Sequence, residues 1–480
     1  MISSKNNSSK SSHTQTAAPQ NIENFCQVPK KQDAEVQTDI KDVTIAYAGY
    51  ETDSMVKFLR KVAPLVCSVL EKNIKSKAFY RYKLSSDTTD TTISCLHMLL
   101  KYPSSETEFC CSNISWNSVG TALAASYSYS NHMSWCEHDS CVNIWSLNRK
   151  DFDPKKPNMS LETDCCITCI NFHPELPAII VAGKLNGSLL LWDISKEDDP
   201  LLSSTETTTS NHREPITGIH WIPPYGKHNR YEFVSCSLDG KILLWKFENG
   251  TLQPYDGFII LAKQLPRNFQ IKARLSNAEV GITSLSINVE DSSIFIIGIE
   301  GGGIFQCSFE SKVPTLYSGA SSVSLKNPIN MGFERHKGQV TTVQFSPYSR
   351  NIFLSAGSDG ELRIYSLLQP KPLLILQQPS GGINGAQWST VRPLVIYCIC
   401  NNGQLHIWDL VSNERSPTES CLLTLSNDSG ISLGNNKENP GLLATCCSNG
   451  TVQVWEISGA ALVAESSEVT QLQALSKTIE

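Results

Sequence analysis

VTTVQFSPYSRNIFLSAGSDGELRIYSLLQPKPLLILQQ, residues 340–378, is the stretch that decides the fold. It reads as four successive strands, VTTVQFS, NIFLSAGS, ELRIYSL and PLLILQQ, separated by turn residues. Side chains alternate faces with period two along a strand, so Leu362 and Ile364 share one face and Tyr365 takes the other. The pair Asp359-Gly360 joins the second strand to the third. Asp-Gly and Asn-Gly are favoured in type I′ hairpins, which need positive φ at both central residues, so that turn type is expected here.

The same local pattern recurs along the chain. A turn pair is followed by an aromatic five residues after its second member and by an apolar residue seven after it. The pairs are Asp139-Ser140, Asn186-Gly187, Asp239-Gly240, Gly301-Gly302, Asp359-Gly360, Asn402-Gly403 and Asn449-Gly450. Five residues on stand Trp145, Trp192, Trp245, Cys307, Tyr365, Trp408 and Trp455. Upstream, strands starting at Ile167, Ile282, Val340 and Ile383 each precede their turn glycine by the same interval. Four-stranded units at spacings near 40–50 residues are the sign of a radial repeat architecture. Longer spacings imply insertions at about 248–281 and 310–335. The reading is an all-β chain: a seven-bladed β-propeller over 85–458, closed by a strand within 91–99, with 459–480 as a C-terminal tail.

LLLWDI, HIWDL and FHP resemble WD-repeat motifs. In that family a His ahead of the inner strand, a turn Asp and a strand Trp form a buried hydrogen-bonded set. The resemblance implies that His212 with Asp239, and His336 with Asp359 and Tyr365, are structural, as are Trp145, Trp192, Trp245, Trp408 and Trp455. The fourth unit carries Gly301-Gly302-Gly303 and Cys307 in place of an aromatic. Its GIEGGGIF looks like a phosphate loop, but phosphate cradling needs a helix N-terminus behind the glycines, and here they enter a strand.

Composition narrows the function. The 480 residues carry a formal net charge of −6, and hydrophobic residues make up 40%. A basic block of the kind that binds nucleic acid is lacking, so no nucleic-acid partner is expected. MISSKNNSSK has no apolar run, so no secretory signal is expected, and the short apolar runs predict no membrane insertion. The 17 cysteines are then expected to be mostly reduced thiols acting as small hydrophobes. His132, Cys136, His138 and Cys141 form the one metal-like cluster, at irregular spacing. Cys141 begins the Trp145 strand, so no metal is expected there. The Cys165-Cys166-Ile167-Thr168-Cys169 run reads as inner-strand core. No triad, paired carboxylates or Walker loop is found; no catalytic residue and no cofactor is expected.

Residues 1–50 are polar and poor in aromatics, and an arm of that composition is expected to be disordered. It holds His13-Thr14-Gln15-Thr16 and Glu35-Val36-Gln37-Thr38-Asp39. Both resemble the Thr-Gln-Thr peptide that the eight-kilodalton-class dynein light chain adds as an extra strand to its sheet edge. Residues 51–80 predict one short amphipathic helix, capped by Asp53 or Ser54. Met55, Leu59, Val62, Val66 and Val69 step at helical period, with Val56, Leu65 and Leu70 widening the stripe. Pro64 counts against a straight axis. One reading lays this helix against the propeller; the other makes it a docking helix for a partner.

An arm with two such peptides, an amphipathic helix and a seven-bladed propeller is similar to the layout of the cytoplasmic dynein intermediate chain family, dynein-2 type. EVQTD at 35–39, ISWNSVG at 114–120, SLLLWDISKEDDPLL at 188–202, DGKILLW at 239–245, KQLPR at 263–267, FIIGIEGGG at 295–303 and RNIFLSAGSDG at 350–360 carry the resemblance. It implies a non-catalytic motor subunit of retrograde intraflagellar transport. The expected location is cytoplasm, cilium axoneme, ciliary base and centrosome. The implied partners are a dynein-2 heavy chain on the propeller, a companion intermediate chain, and eight-kilodalton-class, roadblock-type and Tctex-type light chains. Carried over by position, the first light chain would contact Thr14, Gln15, Thr16, Val36, Gln37 and Thr38. The roadblock type would contact Leu59, Val62, Val66 and Val69. The propeller alone also suits a different adaptor, such as a ubiquitin ligase substrate receptor.

Overall fold

The computed structural model describes residues 52–75, 92–99 and 109–475, save short stretches at 130–131, 133–135, 137, 197, 206–210, 223–231, 270–277, 317–322, 379–380, 414, 424–427 and 466. The chain divides into two units, Met1–Ser85 and Ser86–Glu480. The described residues of the first form a helix, α1, which spans Thr52–Lys75 and runs through Pro64 without a break. Asp53 and Ser54 lie inside its first turn instead of capping it. A carboxylate there still favours the helix, because the N-terminal end carries partial positive charge.

The described residues of the second unit form seven sheets, antiparallel throughout save one added strand in blade 3. Blade 1 is built from Phe109–Trp116, Ala122–Tyr129, Ser140–Ser146 and Met159–Thr163; blade 2 begins at Ile167–Phe172, blade 3 at Ile216–Trp221 and blade 4 at Ile282–Ile287. Blades 5, 6 and 7 begin at Val340–Phe345, Ile383–Trp388 and Gly430–Asn435. The inner strands start at the four isoleucine and valine positions read from the sequence. Blade 7 takes its fourth strand from Thr92–Leu99, which pairs with Val452–Ser458 in the register Thr92↔Ser458 to Leu99↔Val452. The seven-bladed propeller is therefore closed by the segment expected to close it.

The blade turns differ from the expected type. Gly187, Gly240, Gly302, Gly360, Gly403 and Gly450 have φ between 74° and 85°, but Asn249 is the one non-glycine residue with positive φ among the described residues. The residue before each of those glycines, Asn or Asp at five of them and Gly301 at the sixth, is thus not left-handed. The Asn or Asp side chain instead accepts the amide two residues on: Asp239 from Lys241 at 3.0 Å, Asn186 from Ser188 at 3.0 Å, Asn449 from Thr451 at 2.9 Å. A turn hydrogen bond closes three residues back, as Gly360 N–H to Gly357 O at 3.1 Å. This is a type I turn with a glycine bulge, in which Asn and Asp serve as caps for the next strand. Among the described residues the type I′ pair occurs once, at Asn249 (φ 52°) and Gly250 (φ 79°), between the third and fourth strands of blade 3.

The core is seven layers, one per seam between blades. Ile352, Leu354 and Leu362 of blade 5 meet Trp388, Ile396 and Trp408 of blade 6. Leu123, Tyr127 and Trp145 of blade 1 meet Ala444, Val452 and Val454 of blade 7. Each inner strand also bulges at its start, and the bulge residue reaches sideways. Ser112 donates to Ile167 O at 2.6 Å, Thr168 to Ile216 O at 2.6 Å and Thr217 to Ile282 O at 2.7 Å. Thr283 reaches Val340 O at 2.6 Å, Thr341 Ile383 O at 2.7 Å, and Asn384 Gly430 O at 2.7 Å. A bulge re-aims one side chain out of the pleat, and here it aims six hydrogen bonds at six neighbouring blades. In blade 7 the bulge falls at Ile431, between Gly430 and Ser432. At that seam Trp116 Nε1 donates to Gly434 O at 2.9 Å and Asn436 Nδ2 to Gly120 O at 2.8 Å.

Both insertions elaborate blade 3. Lys241–Glu248 and Thr251–Ile259 form a long hairpin. The stretch after Ser308 leaves blade 4, and its Leu325–Asn327 strand adds to blade 3 in parallel, Gly257↔Leu325, before returning as Ile329–Phe333. Blade 3 thereby becomes a six-stranded sheet. Lys326 Nζ lies 2.7 Å from Asp256 and fastens the added strand. The C-terminal residues are part of the same packing: the helix α2, Glu468–Leu475, inserts Leu472 into the layer between blades 5 and 6.

Candidate functional site

Among the described residues, no helix is long and apolar enough to cross a membrane, and no disulfide joins the cysteines. The light-chain motif residues Thr14, Gln15, Thr16, Val36, Gln37 and Thr38 lie outside the described residues.

The helix α1 presents its stripe openly. Met55, Leu59, Val66 and Val69 are each about half exposed, Leu65 is 69% exposed, and Val62 alone is half-buried. Phe58, at 59% exposure, belongs to the same face and was not picked out from the sequence. At 100° per residue, Leu65, Phe58, Val69, Val62, Met55, Val66, Leu59 and Leu70 fall within about 140° of arc. Lys57, Arg60, Lys61, Glu71 and Lys72 fall outside it, and so does Pro64. An apolar face of eight side chains with a charged back is what a helix-in-groove partner reads.

The repeat histidines are internal. His212 Nδ1 lies 3.1 Å from Asp239, its Nε2 lies 2.7 Å from Ser235 Oγ, and Trp245 Nε1 donates to the same hydroxyl at 2.8 Å. Burial pushes the Asp239 carboxyl up, but His212 and the amides of Lys241 and Arg213 outweigh it and hold it well below the usual range. In blade 5, His336 Nδ1 lies 3.0 Å from Asp359 and Nε2 lies 2.7 Å from Ser355 Oγ. Burial lowers His336 against the pull of Asp359. The expected third member, Tyr365, stands apart from this histidine. Its hydroxyl donates to Glu334 O at 2.7 Å and accepts from Arg363 at 3.2 Å. A phenol is longer than an indole is to its N–H, and it overshoots the serine. Both nitrogens of each histidine are engaged within the blade, and the residues are 3% and 2% exposed, so neither ring is open to a substrate. Trp145, Trp245 and Trp408 are fully buried, and Trp192 and Trp455 nearly so. The three glycines of blade 4 turn into the strand Ile304–Ser308, and Cys307 is buried in the seam between blades 3 and 4.

The His/Cys cluster is real but differently composed. His132, Cys136 and His138 come together with Cys166, their ligand atoms all within 4.8 Å of one another. Cys141 sits on the strand Ser140–Ser146 and packs in the layer between blades 7 and 1. Cys165 and Cys166 precede the inner strand of blade 2, which starts at Ile167, so the run is not wholly strand core. Cys166 N–H donates to Cys136 Sγ at 3.2 Å, and Cys136 Sγ lies 3.8 Å from His138 Nδ1. Burial raises the Cys136 thiol, but the contacts from Cys166 and His138 outweigh it and bring it down to about 6.

The family model for the WD40 domain of dynein axonemal intermediate chain 3 matches residues 113–222 and 263–457, and a WD domain, G-beta repeat model matches 203–246. Over 97% of this chain and 88% of the other, the sequence is 36% identical to cytoplasmic dynein 2 intermediate chain 2 of Mus musculus. The chain belongs to the dynein intermediate chain family. Against the Homo sapiens protein of the same description, this intermediate chain is 34% identical over 85% of its length and 77% of the other's. Against the cytoplasmic dynein 1 intermediate chain of Drosophila melanogaster it is 24% identical over 65% of its length and 43% of the other's. The match to the mouse protein covers 471 residues, which is more than the propeller supplies and extends into the segment ahead of it.

Proposed function

We propose that the chain is the non-catalytic intermediate chain of a cytoplasmic dynein-2 motor. In this reading the propeller holds the heavy chain, and the segment ahead of it holds light chains and so pairs with a companion intermediate chain. The process served is retrograde intraflagellar transport and cilium assembly, with the chain in the cytoplasm, axoneme, ciliary base and centrosome. The observation that carries the reading is the near full-length similarity to two proteins described as cytoplasmic dynein 2 intermediate chain 2. The open apolar face of α1 supports it, since a stripe of that size in water calls for a partner. Paired peptides at Gln15 and Gln37 suit a dimeric light chain, where the second contact gains from the first by effective concentration.

Affinity purification of the full chain from ciliated cells, followed by identification of the bound proteins, tests this. A heavy chain and light chains are expected. Removal of residues 1–75 is expected to lose the light chains and keep the heavy chain. Gln15→Ala with Gln37→Ala is expected to lose the eight-kilodalton class alone. Recovery of ubiquitin ligase subunits without a heavy chain would overturn the reading.

A further inference from the structure

We propose that His132, Cys136, His138 and Cys166 form a structural zinc site that ties the outer loop of blade 1 to the start of blade 2. Three of the four lie between the second and third strands of blade 1, and the fourth precedes Ile167, the first residue of the blade 2 inner strand. One ligand atom from each lies within 4.8 Å of all the others. Zinc–sulfur and zinc–nitrogen bonds of about 2.3 and 2.0 Å set the edges of a tetrahedron at roughly 3.3–3.8 Å. The Cys136 Sγ to His138 Nδ1 distance of 3.8 Å is already near that edge, so closing on an ion takes small side-chain shifts.

The surroundings favour a metal. His132 Nε2 is buried and makes no hydrogen bond. A buried imidazole nitrogen left in that state costs free energy that a ligand bond would recover. Each sulfur accepts a backbone amide, Cys136 from Cys166 at 3.2 Å and Cys166 from Tyr129 at 3.3 Å. Amide donors of this kind orient and stabilise thiolate ligands. The Tyr129 ring lies 4.2 Å from that of His138 and holds its plane, and His132 meets His138 edge-on at 5.4 Å. Two thiolates and two imidazoles suit zinc, and two thiolates cancel its charge, which matters in a half-buried site. Four protein ligands leave no open position, so the site is structural. Binding releases the thiol protons to solvent, and the chain gains the binding free energy as fold stability at the seam between blades 1 and 2.

The test is metal content of the full chain purified without chelator and dialysed against metal-free buffer. About one zinc per chain is expected. Cys136→Ser and Cys166→Ser are each expected to lose it, and Cys141→Ser, outside the four, to keep it. Cys166 is buried and its variant could misfold, so Cys136→Ser with unchanged circular dichroism is the deciding variant. Cobalt(II) in place of zinc is expected to give tetrahedral visible bands with sulfur charge transfer that vanish in Cys136→Ser. Three results would each overturn the proposal. Wild type could hold no more metal than Cys136→Ser. Cys141→Ser could lose it as fully as Cys136→Ser. Intact mass could show Cys136 and Cys166 joined as a disulfide in zinc-supplemented chain.

Discussion

Arg392 of blade 6 is bonded to Glu468 of the C-terminal helix, Nε to Oε1 at 2.8 Å, across 76 residues of sequence. The same guanidinium holds Asp409 at 2.8 Å and donates to Ala460 O at 2.9 Å. Side chains of all three charged residues are less than a tenth exposed. The C-terminal segment is thus clamped to the ring by one arginine that reads two carboxylates and a carbonyl. Removing the arginine from such a buried set leaves two carboxylates uncompensated. Arg392→Met is expected to cost about 3–5 kcal/mol, more than an exposed pair by several-fold. Chemical denaturation measures it. A loss under about 1 kcal/mol would mean the clamp is solvated in solution.

The bulge hydrogen bonds make a second expectation. Thr283→Val keeps shape and deletes the 2.6 Å bond to Val340 O. A net loss of about 1–2 kcal/mol is expected, because the carbonyl it leaves is shielded at the seam. Ser286, in the same inner strand but serving the amide of Phe345 at 3.0 Å, is the control: Ser286→Ala is expected to cost less than Thr283→Val. Equal costs would show that the bulge position has no special part in joining blades.

The ring was legible because its signals are local. Asn-Gly and Asp-Gly pairs, period-two strands and the starts at Ile167, Ile282, Val340 and Ile383 all fall within one blade, where backbone chemistry decides them. Contacts that cross blades were not legible. Cys166 meets Cys136 only because blade 2 lies beside blade 1, and sequence adjacency pointed to Cys141 instead. Glu468 finds Arg392, and Leu325 finds Gly257, because later chain runs back onto an earlier blade and not through any period. The turn type was misjudged for a related reason: Asn and Asp before glycine serve both as left-handed residues and as side-chain caps, and only the backbone angle separates the two. Phe58 of α1 was passed over although it lies on the stripe, since the stepping of four and three begins from Met55 and skips it.

His336 gives a pH dependence of defined sign. Burial first, then Arg363, lower it below its ordinary 6.5, and Asp359 and Glu361 pull it back only in part. The unfolded chain therefore takes up a proton before the folded one does. Stability is full above the unfolded value and falls as pH drops from there towards the folded value. Wild type is expected to lose more stability between about pH 7.5 and 5.5 than His336→Gln does. Asp359, held low by His336 once burial is overcome, adds a separate loss below about pH 4. Parallel slopes for the two proteins through the upper window would exclude His336 as its source.

Pro64 offers the sharpest test of what α1 is for. It lies inside the helix, about 180° from Met55 at 100° per residue and so opposite the apolar stripe. An interior proline removes one backbone bond and costs ~3 kcal/mol relative to alanine. A lone helix of this length is marginal in water even without that cost. Pro64→Ala is therefore expected to raise the helicity of a peptide covering 52–75, read by circular dichroism. Since the proline is off the stripe, the same change is expected to keep or tighten capture of a roadblock-type light chain by the full chain. Val66→Asp on the Pro64→Ala background is expected to keep the helicity and lose the capture. If Val66→Asp and Leu59→Asp leave capture intact, the exposed face is not the docking surface, however well the helix forms.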